Sequence, residues 1–294
     1  MEVDHDEFLA EMQPEQGESA LQVGPMCACC VGEGVPDGTG LAGNLSSRSG
    51  LTLIHSGYYI AGYAMSGNRR VPVTSLLHID SSARGASFSR KVAAAFVAEW
   101  RAVHPAGGYA YRDLGAHPVP PVDEARTQIA VQASAAGIQE LAHMTQAVRR
   151  PAQERSWAVA RPLIEELLAA DAVLVASPMY NLSIPSTLKA WIDQISFPWL
   201  PLAGRTAVVV TARGGSYAPG TPREGYDHQE PYLRAYFQTL GLTDLHFIHT
   251  ELTNARHVPF LAQFQQAHET SRVSALDAAA RLARTIGQPV KQPT

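Results

Sequence analysis

The sequence predicts a doubly wound α/β fold, a sheet of five parallel strands with helices on both faces. Three observations carry this expectation. Short apolar runs alternate with helical patterns from Val71 onward, the inner runs are apolar without alternation, and the most distinctive loops all leave strand ends.

The first strand is expected at about Ser75 to Ile79, followed by a helix of about Ser89 to His104 with Val92, Phe96, Trp100 and Val103 on one face. A second strand follows over Tyr109 to Leu114. Helical segments over about Asp123 to Val148 and Gln153 to Ala169 lead into Ala172-Val-Leu-Val-Ala176, which reads as a strand covered on both faces. Pro185 opens a helix carrying Leu188, Trp191, Ile192 and Ile195, with proline in the first turn, where its missing N–H costs nothing. Thr206 to Thr211 is another buried strand, and a helix of about Pro231 to Leu240 stops at Gly241. A strand over about Asp244 to Thr250 and a closing helix complete the alternation. Parallel strands joined by helices require right-handed crossovers and place a ligand crevice at the C-terminal edge of the sheet.

Composition excludes several classes. Of 294 residues, 46% are apolar, enough for a packed core, and a formal net charge of -4 offers no basic face for nucleic acid. No run reaches a membrane-spanning length, and the chain begins with Glu2, Asp4, Asp6 and Glu7 where a secretory signal would carry bases, so a cytoplasmic location is expected. The cysteines, Cys27, Cys29 and Cys30, lie together and can staple nothing distant. Cys27 and Cys30 have a C-x-x-C spacing but no surrounding pattern to orient a metal, and no metal site is expected. Residues 1–70 read as an irregular extension, with residues 71–294 as the folded domain. Met65, just before the domain, is a candidate natural start.

Three loops carry the chemistry. Ser81-Ser-Ala-Arg-Gly-Ala-Ser-Phe-Ser89 precedes a helix N-terminus, where unpaired N–H groups and the positive dipole end favour a phosphate. The absence of G-x-x-x-x-G-K-[ST] and of G-x-G-x-x-G disfavours triphosphate cleavage and a Rossmann dinucleotide site. Pro178-Met-Tyr-Asn-Leu-Ser-Ile-Pro185 offers an apolar, aromatic and amide wall suited to a flat heteroaromatic ring. Thr211-Ala-Arg-Gly-Gly-Ser-Tyr-Ala-Pro-Gly220 has paired glycines that let the backbone approach a ligand. Taken singly, each loop has an ordinary structural explanation; together they describe successive parts of one FMN.

Ser81-Ser82 with Ser87-Phe-Ser89, Tyr111-Arg-Asp-Leu114, Pro178-Met-Tyr-Asn181 with Ser186-Thr-Leu-Lys189, and Thr211-Ala-Arg-Gly-Gly215 resemble the FMN-dependent NADH-azoreductases, also described as quinone reductases. The resemblance runs from about Leu76 to the C-terminus. It implies a flavodoxin-like sheet, a homodimer with flavin at the interface, and ping-pong transfer of two electrons from NADH or NADPH to quinones or azo compounds. It further implies that Ser81, Ser87, Ser89 and the Phe88 backbone hold the phosphate and ribityl chain. Pro178, Met179, Tyr180 and Asn181 would line the isoalloxazine. Gly214 and Gly215, flanked by Thr211, Arg213 and Ser216, would aim N–H donors at its pyrimidine end. No catalytic side chain is required, although Tyr217 is placed to touch substrate; His228 reads as a surface histidine.

The segment Ser196 to Arg205 is shorter than in many relatives, so Phe197 and Trp199 are expected to supply a reduced roof over the ring. Three other classes compete. A flavodoxin-type electron carrier would meet its partner through charge, whereas these loops hold few acids. A phosphatase would need a cysteine in the first loop, which has Arg84 but no cysteine. A receiver domain would want clustered acids at the strand ends, where Asp80 stands nearly alone.

Overall fold

The computed structural model describes residues 74–198, 200 and 202–286. The expected extension over residues 1–70, Met65, the three cysteines and Trp199 lie outside the described residues.

Five strands form one parallel sheet in the order β2-β1-β3-β4-β5: β1 (Ser75–Asp80), β2 (Gly108–Asp113), β3 (Ala172–Pro178), β4 (Thr206–Ala212) and β5 (Asp244–Thr250). The order reverses direction between β1 and β3, which is where such sheets open a crevice. β3 and β4 are buried along their whole length, while β2 and β5 at the edges are mostly half-buried.

Period-two alternation divides the core in two. Val173, Val175, Ala207 and Val209 face one layer, built from α2 (Glu124–Ala135), α3 (Pro151–Ala169), α4 (Ser186–Ile195) and α5 (Glu230–Thr239). Ala172, Leu174, Ala176, Val208 and Val210 face the other, made by α1 (Phe88–Val103) and α6 (Gln265–Thr285). On α6 the buried residues Ala275, Ala279 and Ala283 recur every fourth position, a small-residue stripe that lets α6 lie close against α1.

Two expectations need correction. Val103 does not share the buried face of α1; it is 44% exposed, and Ala93 and Val97 take its place beside Val92, Phe96 and Trp100. The helical stretch expected over 123–148 stops at Ala135, where Gly137 turns left-handed at φ 68°, and a 3-10 helix over Leu141–Ala147 follows. Asp123 caps α2 by accepting from the Arg126 N–H at 2.7 Å and also accepts from the Ser156 hydroxyl, which ties α2 to α3.

Candidate functional site

The loops after β1, β3, β4 and β5 meet in a cleft of about 380 Å³ at the C-terminal edge of the sheet. Its lining contains Ser82, Arg84, Ser87 and Phe88 from the first loop, Pro178 to Leu182 from the second, and Ala212, Gly214, Gly215 and Tyr217 from the third. Arg223, Thr253 and Asn254 complete it.

The first loop ends on the N-terminus of α1, whose N-cap Ser87 makes no side-chain cap bond and whose first turn holds no acid. The N–H groups and positive dipole end are therefore available for an anion. Ser87 is held by Ser89, hydroxyl to hydroxyl at 2.8 Å, so Ser89 stands behind the lining and outside the cleft. Ser81 also points inward: its hydroxyl and N–H both donate to the Ala176 carbonyl, locking β1 to β3, and Ser82 takes the cleft position expected for it.

A clamp fixes this loop from outside. Arg90, in the first turn of α1, donates to both Asp113 oxygens at 2.8 and 2.6 Å, to Asp80 at 3.1 Å and to the Ser82 carbonyl at 2.7 Å. Asp80 is thus not alone at this edge, because Asp113 at the end of β2 shares its arginine. The Arg90 hydrogen bonds hold the Asp113 carboxyl well below its ordinary range, at about 2. Gly115 follows directly: a Cβ there would lie 2.1 Å from the Ser82 carbonyl oxygen.

The second loop folds back on itself, with Tyr180 and Ser183 exchanging both backbone hydrogen bonds. Asn181 and Leu182 at its tip have φ of 48° and 69°. Asparagine tolerates that region; a branched leucine does so at a cost, so this wall is held in a strained shape. Met179 and Tyr180 belong to the cleft lining.

The third loop departs most from expectation. The Cβ positions of Gly214 and Gly215 face this chain's own side chains: the Asn254 carboxamide would lie 2.6 Å from one, and Arg223 would lie beside the other, its Cδ at 3.3 Å and its guanidinium at 3.4 to 3.8 Å. Thr211 is buried under the loop, bonded to His249 at 2.8 Å. Arg213 turns away from the cleft, 2% exposed, among Asp227 at 2.9 Å, Glu251 at 3.6 Å and Glu230 at 3.9 Å. Ser216 donates to Glu251, which also accepts from the Tyr217 N–H. Thr211, Arg213 and Ser216 therefore support the loop from beneath, while Tyr217, 8% exposed, lines the cleft.

Phe197 does not roof the cleft: its ring packs against the opposite core beside Arg126, whose guanidinium donates to the Phe197 carbonyl. His228 is exposed and outside the lining; its N–H donates to the Leu182 carbonyl.

Beneath the third loop, Glu230 accepts from His249 at 2.9 Å and from Arg234, and these bonds, His249 first, hold its carboxyl at about 2. Carboxyls depressed in the folded state stabilise it above their unfolded values and lose that contribution as pH falls through the folded ones. Stability should therefore fall between about pH 4.5 and pH 2 as Glu230 and Asp113 protonate. Urea midpoints measured at descending pH check this, and a flat profile across that window would contradict it.

An anion cradle, an apolar wall and a polar turn around one crevice at the β1/β3 switch point define a mononucleotide-binding protein of the flavodoxin class. Residues 74–274 match the family model described as a flavodoxin-like fold. The FMN-dependent NADH:quinone oxidoreductase of Nocardia farcinica is 51% identical over 210 residues, covering 71% of this chain and 97% of that protein. The enzyme of the same name from Streptomyces avermitilis is 43% identical over 229 residues, covering 73% and 97%. The chain belongs to this family of FMN-dependent NADH:quinone oxidoreductases. A crystal structure of an azoreductase from Bacillus anthracis aligns with a TM-score of 0.58 at 23% identity, covering 72% of this chain and 99% of that one, and bears on the fold. Among the described residues no helix is long and apolar enough to cross a membrane, and no three His, Cys, Asp or Glu side chains group as metal ligands.

Proposed function

We propose that this chain reduces quinones, and azo compounds in the same way, with two electrons from NADH on a bound FMN. NADH leaves as NAD⁺, and the quinone takes up the hydride and one proton from solvent to leave as the quinol. The observation that carries this is the cleft itself: its described lining has no Cys, His, Asp, Glu or Lys, so it holds neither an activated nucleophile nor an acid–base pair. When bound, FMN supplies reversible two-electron storage.

The chain's own residues bind and orient. Ser82, Ser87 and the N–H groups opening α1 would hold the phosphate, with Arg90 fixing their loop from behind. Pro178, Met179, Tyr180 and Asn181 would form the wall along the ring, and Gly214 and Gly215 would present backbone donors to its polar end. Tyr217, in the cleft lining, would touch a substrate bound beside the ring. Tyr180, 37% exposed at the lip, is the sort of aromatic a second subunit covers, which supports a homodimer. Residues 71–294 make up the unit that carries the activity, working in the cytoplasm.

Purified protein should be yellow, bleach with NADH and recover its colour with benzoquinone, with no partner protein present. Protein that stays colourless after FMN is supplied would overturn the reading. Flavin that reduces but turns over only with a protein partner would favour an electron carrier.

A further inference from the structure

The cleft has an electrostatic character that quinone reduction by itself does not require. Its lining carries two arginines, Arg84 and Arg223, and no carboxylate. Arg84 belongs to the loop at the N-terminus of α1, the phosphate end. Arg223 lies at the other end, with its guanidinium set against the backbone of Gly215, 3.4 Å from Nη1 to the place a Cβ would take. A Cβ at position 215 would stand in direct contact with it.

Arg223 makes no ion pair among the described residues, and the nearby acids are engaged elsewhere. Glu224 accepts from the Gly220 N–H at 2.8 Å, and Glu251 accepts from Ser216 and Tyr217. Asp227 pairs with Arg213, and Glu230 with His249 and Arg234. Four carboxylates within eight residues in sequence or one loop in space are thus taken up by other groups, while the guanidinium facing the cleft keeps its donors free.

We propose that Arg223 is a specificity-determining residue that receives an oxyanion of the ligand stacked in the cleft, a phosphate, sulfonate or carboxylate. The inference rests on the site assigned above. A planar guanidinium matches such a group with paired donors. Two ligands bring that chemistry: the pyrophosphate of the dinucleotide donor, and an acidic substituent on the acceptor. Asn254, against Gly214 with its carboxamide also in the lining, adds a neutral donor and acceptor beside the arginine.

The test compares wild-type holoenzyme with Arg223→Ala and Arg223→Lys. In the acceptor arm, the ratio of kcat/KM for a sulfonated naphthoquinone to that for its unsulfonated parent is measured with NADH. In the donor arm, the ratio for NADH to uncharged N-benzyl dihydronicotinamide is measured with the parent quinone. Arg223→Ala should lower at least one ratio by about tenfold, and the lysine variant should restore part of it. A fall in the acceptor arm alone places the oxyanion on the acceptor, and a fall in the donor arm alone places it on the donor's pyrophosphate. A binding measurement on the same proteins, naphthalene sulfonate against naphthalene sulfonamide, reads the charge preference without turnover. Loss of the sulfonate preference in Arg223→Ala supports the proposal even in a protein that reduces no quinone, a result that would instead sink the function assigned above. Ratios and binding preference unchanged in Arg223→Ala would overturn the role of Arg223.

Discussion

Gly115→Ala should weaken the protein's hold on its flavin. The methyl group would sit 2.1 Å from the Ser82 carbonyl oxygen and 2.9 Å from its carbon, and both are backbone atoms that cannot swing aside. Relief requires the first loop to move toward the cleft or the turn after β2 to move outward. The first shift carries Ser82 with it and breaks its bond from Arg90; the second pulls Asp113 off the same arginine. Forced overpacking of this kind costs about 1–3 kcal/mol, and if the loop absorbs it, FMN affinity falls by about tenfold or more. Flavin released on desalting, read by its absorbance, measures the effect. Full retention of FMN with an unchanged melting temperature would show that the two loops separate freely and that the clamp does not set the cradle.

Arg213→Met should cost more in stability than any change in the cleft lining. Its guanidinium is the buried cation among Asp227, Glu230 and Glu251, and it ties the end of β4 to the start of α5 and the end of β5. Removing one partner from a buried ionic cluster costs about 3–5 kcal/mol, because the charges left behind have lost their counter-ion. His249 and Arg234 still neutralise Glu230, so the penalty falls on Asp227 and Glu251. Glu251 also anchors Ser216 and Tyr217, so the glycine turn should loosen with it. Urea unfolding of holoenzyme tests the first effect and flavin retention the second. A loss under about 1 kcal/mol would mean that water reaches the cluster and screens it.

The backbone was far more legible than the direction of its side chains. Strands β3 and β4 are legible to within two residues because a strand buried on both faces is an uninterrupted apolar run between turn residues, and the half-buried edge strand β5 matches its expected span of Asp244 to Thr250. The stop after Ala135 was also visible in Ala-Ala-Gly137, a left-handed cap signal overridden by the apolar spacing that follows. At the site, motif position located the loops but not which side chains reach the cleft. Ser81, Ser89, Thr211, Arg213 and Ser216 belong to those loops and face inward; Ser89 is held by its neighbour Ser87, and the others by partners far away in sequence, such as Ala176, His249 or Glu251. Thr253 and Asn254 went unnoticed because no local signature marks them; the sheet order alone, which brings the end of β5 to the same edge, could have flagged them. The paired glycines are expected to admit a ligand, and among the described residues what lies against them is the chain's own Asn254 and Arg223.

The cleft draws on the ends of four strands, β1, β3, β4 and β5, whose lining residues run from Ser82 to Asn254. No short stretch of chain can assemble it, and every pairing that brings it together is a long-range parallel one, the slow kind to form. Loading with cofactor is therefore a late event in the life of a newly made molecule, available only after the central strands have found their register. From then on the ligand stabilises the completed sheet by mass action. Flavin content thus reports on quality of assembly as directly as on catalytic competence.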